Sequence, residues 1–230
     1  MIKLVVFDLG ETLIFYKGLA LNWSEHYCCA LEKSFQELSF KTDSEKIKQA
    51  SSILSKYNTR NNPRTEEISS YKIFSEILSA LNLDTNLIDP FTKEFFKYFQ
   101  RKTEPEETAI ELLSILKEKN IFTAVLTDVP YGMPKDLVLE DLKPVSNYID
   151  FVLTSVEVGK RKPSTAGIKI ILNKFSCASS ETLMVGNEKK DIDTAISAGL
   201  IPVLLSKDES IKDWGQHKTI SKLIDLFQLL

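Results

Sequence analysis

With 230 residues, 43% of them hydrophobic and 27% charged, the chain has room for one large domain, or for a core and a smaller one, and has the composition of an ordinary globular protein. A net charge of −3 leaves no electrostatic footprint for nucleic acid or a membrane surface, so attraction for an anionic substrate must be local. The cysteines Cys28, Cys29 and Cys177 form neither a disulfide framework nor a zinc pattern, and with no signal segment or run of 18 apolar residues in view, the expected setting is the reducing cytoplasm.

The run over residues 2–7 is apolar and β-branched and stops at Asp8. That is the pattern of a buried parallel strand delivering a carboxylate to the edge where open α/β sheets bind ligands. Gly10 lets the backbone turn closely and Thr12 is placed to bond main-chain groups in the turn. By itself Asp8 is a nucleophile, a metal ligand or a loop cap.

From residue 15 to 102 apolar residues recur at helical spacing, which predicts a helical insertion without strands. One stripe is Trp23, Tyr27, Leu31, Phe35 and Leu38; a polar helix covers 44–57; another stripe is Ile68, Tyr71, Phe74, Leu78 and Leu81. A further helix follows Asp89-Pro90 with Leu87, Phe91, Phe95, Phe96 and Phe99. Trp23, His26 and these phenylalanines are expected to form the insertion's own core rather than a ligand site, and His217 is expected at the surface.

Thereafter strands and helices alternate. Thr103-Glu104-Pro105-Glu106 reads as a capping box opening a helix with Ile110, Leu113 and Leu116 inside and Asn120 at its C-cap. A buried strand over 121–126 ends in Thr127-Asp128; a short helix over 134–142, a strand over 149–153 and a loop over 155–162 follow; Pro163 opens a helix ending near Phe175. A strand over 182–185 runs into Gly186-Asn187-Glu188, helix 190–198 is closed by Gly199, strand 201–205 follows, and Ile220, Leu223, Ile224 and Phe227 mark a last amphipathic helix. The alternation predicts an α/β fold with a Rossmann-like doubly wound parallel sheet. Its core takes 1–14 and 103–230, and 15–102 form an inserted all-α domain.

Each strand reaching one edge ends in something polar: Asp8, Thr127, the loop carrying Lys160-Arg161-Lys162, then Asn187, Glu188 and Asp191. Singly, each has a structural explanation as turn, solvated charge or helix-start residue. In order and spacing, Phe7-Asp8-Leu9-Gly10-Glu11-Thr12-Leu13, Val125-Leu126-Thr127, Gly159-Lys160-Arg161-Lys162-Pro163 and Val185-Gly186-Asn187-Glu188-Lys189-Lys190-Asp191 resemble the four motifs of the haloacid dehalogenase-like superfamily. The helical block sits where subclass I of that family carries its C1-type cap. The resemblance implies a phosphatase in which Asp8 forms an aspartyl-phosphate, Lys162 and Thr127 assist it, and Thr127, Asp128 and Lys162 hold the phosphoryl group. It also implies Mg²⁺ on Asp8, the Gly10 carbonyl, Asn187 and Asp191, with Glu188 as an additional ligand. The implied substrate is a small phosphorylated metabolite, and a monomer or homodimer with neither nucleic acid nor membrane as partner is expected.

Two positions depart from the family pattern. Gly10 stands where its phosphatases place an acid/base aspartate, a group typically worth about 10²–10⁴-fold, and Glu11 is one residue out of register with it. Asn187 replaces a metal-binding carboxylate with a neutral amide. Two rivals therefore stay open: a ligand-binding protein without turnover, and a metal-independent 2-haloacid dehalogenase.

Overall fold

The opening apolar run becomes β1 (Leu4–Phe7), with every residue buried. The structure is a computed structural model and describes residues 1–20, 22–100, 103–208 and 213–230. After β1 come β2 (Ile14–Tyr16), α1 (Tyr27–Glu37), α2 (Ser44–Tyr57), α3 (Ser70–Ala80), α4 (Ile88–Gln100) and β3 (Thr103–Pro105). Then α5 (Ala109–Glu118), β4 (Phe122–Thr127), α6 (Lys135–Asp141), β5 (Phe151–Thr154), α7 (Ser155–Val158) and α8 (Ala166–Phe175) follow. The described chain closes with β6 (Thr182–Gly186), α9 (Lys189–Ala198), β7 (Ile201–Leu205), β8 (Lys218–Ile220) and a 3-10 segment, Leu223–Leu229.

One sheet has the order β5-β4-β1-β6-β7-β8, and every pairing in it is parallel. From β1 the chain builds outward through β4 and β5, then crosses to the far side of β1 for β6 to β8. The order thus reverses around β1, and the crevice at its carboxyl end is where sheets of this kind bind ligands. Leu4 and Val6 pack on one face with Ile168 and Ile171 of α8 and Ala195 of α9. Strand alternation turns Val5 and Phe7 to the other face, and α5 lies against β4 with Leu112, Leu113 and Leu116 buried. Burying each such side chain contributes about 1.5–3 kcal/mol, which is why the strands read as continuous apolar runs.

Several local expectations give way to non-local pairing. Residues Thr103–Pro105 form a strand paired with β2 instead of opening a helix. Helix α5 begins later because Glu106 Oε2 accepts from both Thr108 N and Thr108 Oγ1, at 2.7 and 2.8 Å. Its C-cap is Lys119, one residue before the expected Asn120, which follows in the left-handed region at φ +57°, and Ile121 N reaches back to the Leu116 carbonyl at 2.9 Å. Ile110 and Tyr71 are exposed, and their helices bury Leu112, Ile73 and Ile77 instead. Residues after β5 form one helical turn, capped by Thr154, before Gly159. Pro163, joined to Lys162 by a cis peptide bond, precedes α8 by a turn rather than opening it. Ile220 belongs to β8, Phe227 is exposed, and the last amphipathic segment is 3-10 in form.

The chain divides into two compact units, one of residues 1–15, 104–128 and 142–230 and the other of 16–103 and 129–141. Lys102, the expected last residue of the insertion, lies outside the described residues. The segment 129–141, expected with the α/β part, packs with the helical residues for a steric and aromatic reason. Gly132 (φ +63°) lies so close to the Ile68–Ser70 backbone that an added Cβ would meet the Ile68 carbonyl oxygen at 2.3 Å. The Tyr131 ring lies against those of Trp23, Tyr27 and Phe95. Trp23 stacks on Phe99 with ring centroids 3.8 Å apart, and Phe74, Phe91, Phe95 and Phe96 fill the rest, so the aromatic stripes are this unit's core. Among the described residues no helix is long and apolar enough to cross a membrane.

Asp141 ends this helical unit as a buried carboxyl. Its Oδ2 accepts from Tyr16 Oη at 2.8 Å while Oδ1 has no hydrogen bond. Burial pushes its pKa up to about 6, only partly countered by the Tyr16 and Gln100 side chains. The folded state therefore holds this proton more tightly than the unfolded chain, and the stability it contributes is full below about pH 4 and lost as pH rises through about 6. Asp141→Asn removes the titration. It is expected to unfold at higher urea than the parent at pH 8, by up to about 3 kcal/mol, with the gap closing toward pH 4. A gap of equal size at both pH values would argue against burial as the cause.

Candidate functional site

Four segments meet at the carboxyl edge around β1. Asp8 follows β1 directly, and its N–H donates to the Val185 carbonyl at 2.8 Å, so β6 holds the residue in line with the strand. Beyond it the chain turns tightly: Leu13 N and Ile14 N both donate to the Leu9 carbonyl, at 2.9 and 3.0 Å, with Glu11 in the left-handed region at φ +57°. A glycine would adopt that conformation without strain; here the glycine is one residue earlier, at Gly10. Thr12 is fully buried, and its hydroxyl donates to Asn187 Oδ1 at 3.4 Å, which ties the first motif to the fourth.

Lys162 is the centre of the arrangement. Its Nζ donates to Asp8 Oδ1 at 2.5 Å and to the Leu126 carbonyl at 3.3 Å, and forms an ion pair with Asp191 Oδ1 at 2.6 Å. Of the Lys160-Arg161-Lys162 run, Lys160 is exposed while Arg161 and Lys162 are buried, so the reading of Lys162 as one solvated cation among three fails. The chain is drawn inward because Lys162 N donates to Asp128 Oδ1 at 3.0 Å. Burial alone would lower the Lys162 pKa; the Asp191, Asp8 and Asp128 carboxylates outweigh it and hold the ammonium well above its ordinary value. Lys162 therefore stays charged throughout the physiological range.

Asp191 sits on the first turn of α9 and is fully buried. One oxygen, Oδ2, accepts from Glu188 N at 2.9 Å and so satisfies an orphan donor of the helix start. The other, Oδ1, faces the Lys162 ammonium at 2.6 Å. Burial raises the Asp191 pKa, Lys162 opposes the rise and the Asp8 charge adds to it. Close packing enforces this placement: a Cβ built on Gly186 would meet Asp191 Cβ, Cγ and Oδ2 at 2.4 Å. Gly186→Ala is accordingly expected to destabilise the protein by about 1–3 kcal/mol and to push the Asp191 carboxylate off Lys162. Thermal unfolding together with a crystal structure of the variant measures both, and an unmoved Asp191 would contradict the expectation.

The remaining expected residues divide. Thr127 ends β4, buried, one residue past the carbonyl that Lys162 touches. Asp128 is adjacent, and its carboxylate is engaged by Lys162 N at 3.0 Å and by Lys190 Nζ at 3.4 Å. Glu188, expected as an additional metal ligand, has Oε2 2.7 Å from Lys190 Nζ. Lys190 was not among the expected site residues. The signal for it was nonetheless local: two lysines at a helix start oppose the macrodipole and call for acidic partners.

Two ammonium groups thus stand among four carboxylates, those of Asp8, Asp128, Glu188 and Asp191. Among the described residues no three His, Cys, Asp or Glu side chains converge closely enough to hold a metal ion. The oxygen donors beside Lys162 are the Asp8 and Asp191 carboxylates. This excess of negative charge suits a hard divalent cation whose other ligands are carbonyl, amide or water oxygens.

Over 102 residues the chain is 31% identical to the ribulose-1,5-bisphosphate 5-phosphatase of Halopiger xanaduensis, a match covering 44% of this chain and 42% of that protein. The chain spans under half the length of the curated relatives it matches. Its fold superposes on a HAD phosphatase from Thermococcus onnurineus (TM-score 0.68, 18% identity, 99% of this chain and 97% of that one). It superposes equally on a 2-haloacid dehalogenase from Pseudomonas syringae pv. Tomato DC3000 (TM-score 0.67, 20% identity, 100% and 98%). At such identities these likenesses describe the fold. The model of the haloacid dehalogenase-like hydrolase family matches residues 5–204, and the chain belongs to that family.

Proposed function

We propose that this chain hydrolyses phosphate monoesters of small metabolites through an aspartyl-phosphate on Asp8. The observation that carries the reading is the convergence of the Lys162 ammonium on Asp8 and Asp191, at 2.5 and 2.6 Å, at the carboxyl end of the sheet's switch strand. A carboxylate attacking a phosphoryl group brings anion onto anion, so the site must supply positive charge before it can supply a nucleophile. Lys162 does this while fixing Asp8 Oδ1, which leaves the second carboxylate oxygen to attack phosphorus in line with the leaving alkoxide. Thr127 offers a hydroxyl, and the amides at the end of β4 offer donors, for the non-bridging oxygens. Water then attacks phosphorus, the Asp8–phosphoryl bond breaks, and phosphate leaves with the carboxylate restored.

Asp8, the Gly10 carbonyl, Asn187 and Asp191 would hold Mg²⁺; when bound, it supplies charge neutralisation at the transferred group. The phosphatase activity carried by the name of the Halopiger relative agrees with this reading. Because Gly10 provides no acid, good leaving groups should turn over fastest. The helical unit is proposed to serve as the cap that selects the substrate.

Phosphate release from an aryl phosphate and a metabolite panel, with Mg²⁺ and with chelator, tests the reading. Metal-dependent release is expected. Halide release from a 2-haloacid, indifferent to chelator, would replace it with dehalogenation; ligand binding without any turnover would replace it with a binding function.

A further inference from the structure

We infer that Lys190 is a positioning residue for the Asp8 site, its ammonium occupying the Asp128 carboxylate so that the Lys162 ammonium stays on Asp8 and Asp191. The inference rests on the phosphatase reading of that site and assigns a role to a side chain of the fourth motif to which the resemblance gave none.

Lys190 Nζ lies 2.7 Å from Glu188 Oε2 and 3.4 Å from Asp128 Oδ2. Asp128 therefore has a cation on one oxygen and, on the other, the Lys162 backbone N–H at 3.0 Å. Its side chain is 5% exposed, so its charge is poorly screened and acts on the nearby Lys162 ammonium. Without Lys190, Asp128 would be a third buried carboxylate competing for one ammonium. An ammonium shared with Asp128 neutralises Asp8 less well and holds its oxygen less firmly. Lys189, next along the chain, is the internal contrast: it is exposed and pairs with Asp193 at 2.6 Å, one turn along α9 and away from these carboxylates. Lys190 is also not disposed as an anion receptor, because two carboxylates already claim its charge.

The test compares Lys190→Met, Lys190→Arg, Lys189→Met, Asp128→Asn and the double variant Asp128→Asn/Lys190→Met on an aryl phosphate with Mg²⁺. Lys190→Met should lower kcat about ten-fold with KM nearly unchanged, since small misplacements of a reacting group are costly. Lys190→Arg should restore most of the rate, and Lys189→Met should behave as wild type. The double variant should be no slower than Asp128→Asn alone, because Lys190 acts through Asp128. A raised KM at constant kcat, equal losses at Lys189 and Lys190, or losses that multiply in the double variant would each overturn the inference.

A crystal structure of Lys190→Met reads the same point without reference to turnover. Lys162 Nζ should have moved from Asp8 toward Asp128, and an unchanged Lys162–Asp8 pair would overturn the inference. A wild-type protein that releases no phosphate defeats the phosphatase reading alone, because this structural outcome still decides the role of Lys190. Lys190→Gln, of similar reach and no charge, replaces Lys190→Met if the latter does not fold.

Discussion

Asp8→Asn is expected to lose essentially all turnover, about 10⁴–10⁶-fold, while the protein becomes no less stable and in the absence of divalent cations somewhat more so. The loss follows from the proposed chemistry: an amide oxygen cannot form the phosphoryl ester, and the other carboxylate on Lys162, that of Asp191, is committed to the start of α9 through Glu188 N. The stability gain follows from electrostatics. Asp8 and Asp191 share one buried ammonium, and the charge on Asp8 is one of the influences that raise the Asp191 pKa. Removing it leaves a one-to-one pair of Lys162 with Asp191, and the amide oxygen of the substituted side chain still accepts from Lys162. The direction is therefore a gain, because the Asp191 carboxylate is relieved of a like charge. Chemical denaturation at pH 8 with chelator measures it. Residual phosphate release near the wild-type rate, or a loss of several kcal/mol, would contradict the assignment of Asp8 as a nucleophile held under electrostatic strain.

Lys162→Met tests the other half of the same arrangement, and here activity and stability should fall together. Turnover should drop by at least about 10²–10³-fold, the scale on which one preorganised electrostatic partner contributes. Stability at pH 8 should drop by about 3–5 kcal/mol, because two buried carboxylates lose the cation that compensated them. The pH dependence has a definite sign. Without the ammonium, the Asp191 pKa, already raised by burial, loses the charge that opposes the rise, so the folded variant binds a proton that the unfolded chain releases. Its stability is then fullest at low pH and falls as pH rises through the Asp191 value, so the deficit against wild type should shrink from pH 8 toward pH 5. Urea midpoints at the two pH values decide the matter. A deficit that is constant with pH would mean that Lys162 contributes through packing of its stem rather than through its charge.

Local pattern made the alternating elements legible, because an apolar run with a polar stop needs only neighbouring residues to be recognised. β7 (Ile201–Leu205) and α2 (Ser44–Tyr57) occupy the residues expected of them. The pattern failed where a segment's partner lies far along the chain. Thr103–Pro105 has a helix-start composition, yet pairs as a strand with Ile14–Tyr16. Residues 129–141 follow an α/β strand, yet Tyr131 and Gly132 have their close neighbours among the helical residues. Ile110 and Tyr71 lie at helical spacing but miss the buried face, since a periodic stripe several residues wide leaves the rotation of a short helix open.

At the site, the residue types and their order belong to the sequence by itself: a carboxylate ending the first strand, a threonine ending the next inner one, a lysine before proline, and an aspartate shortly after Gly186. Tertiary structure alone decided which charges meet. Lys162 and Asp8 are 154 residues apart, and only the parallel register of β4, β1 and β6 brings their loops to one edge. The same register buries Lys162 while Lys160 stays in water, and it brings Glu188 and Asp128 onto Lys190. The reason is physical. Strand-forming and helix-forming tendencies act over a few residues, whereas the energy of a buried charge is set by whatever the fold places within a few ångströms of it.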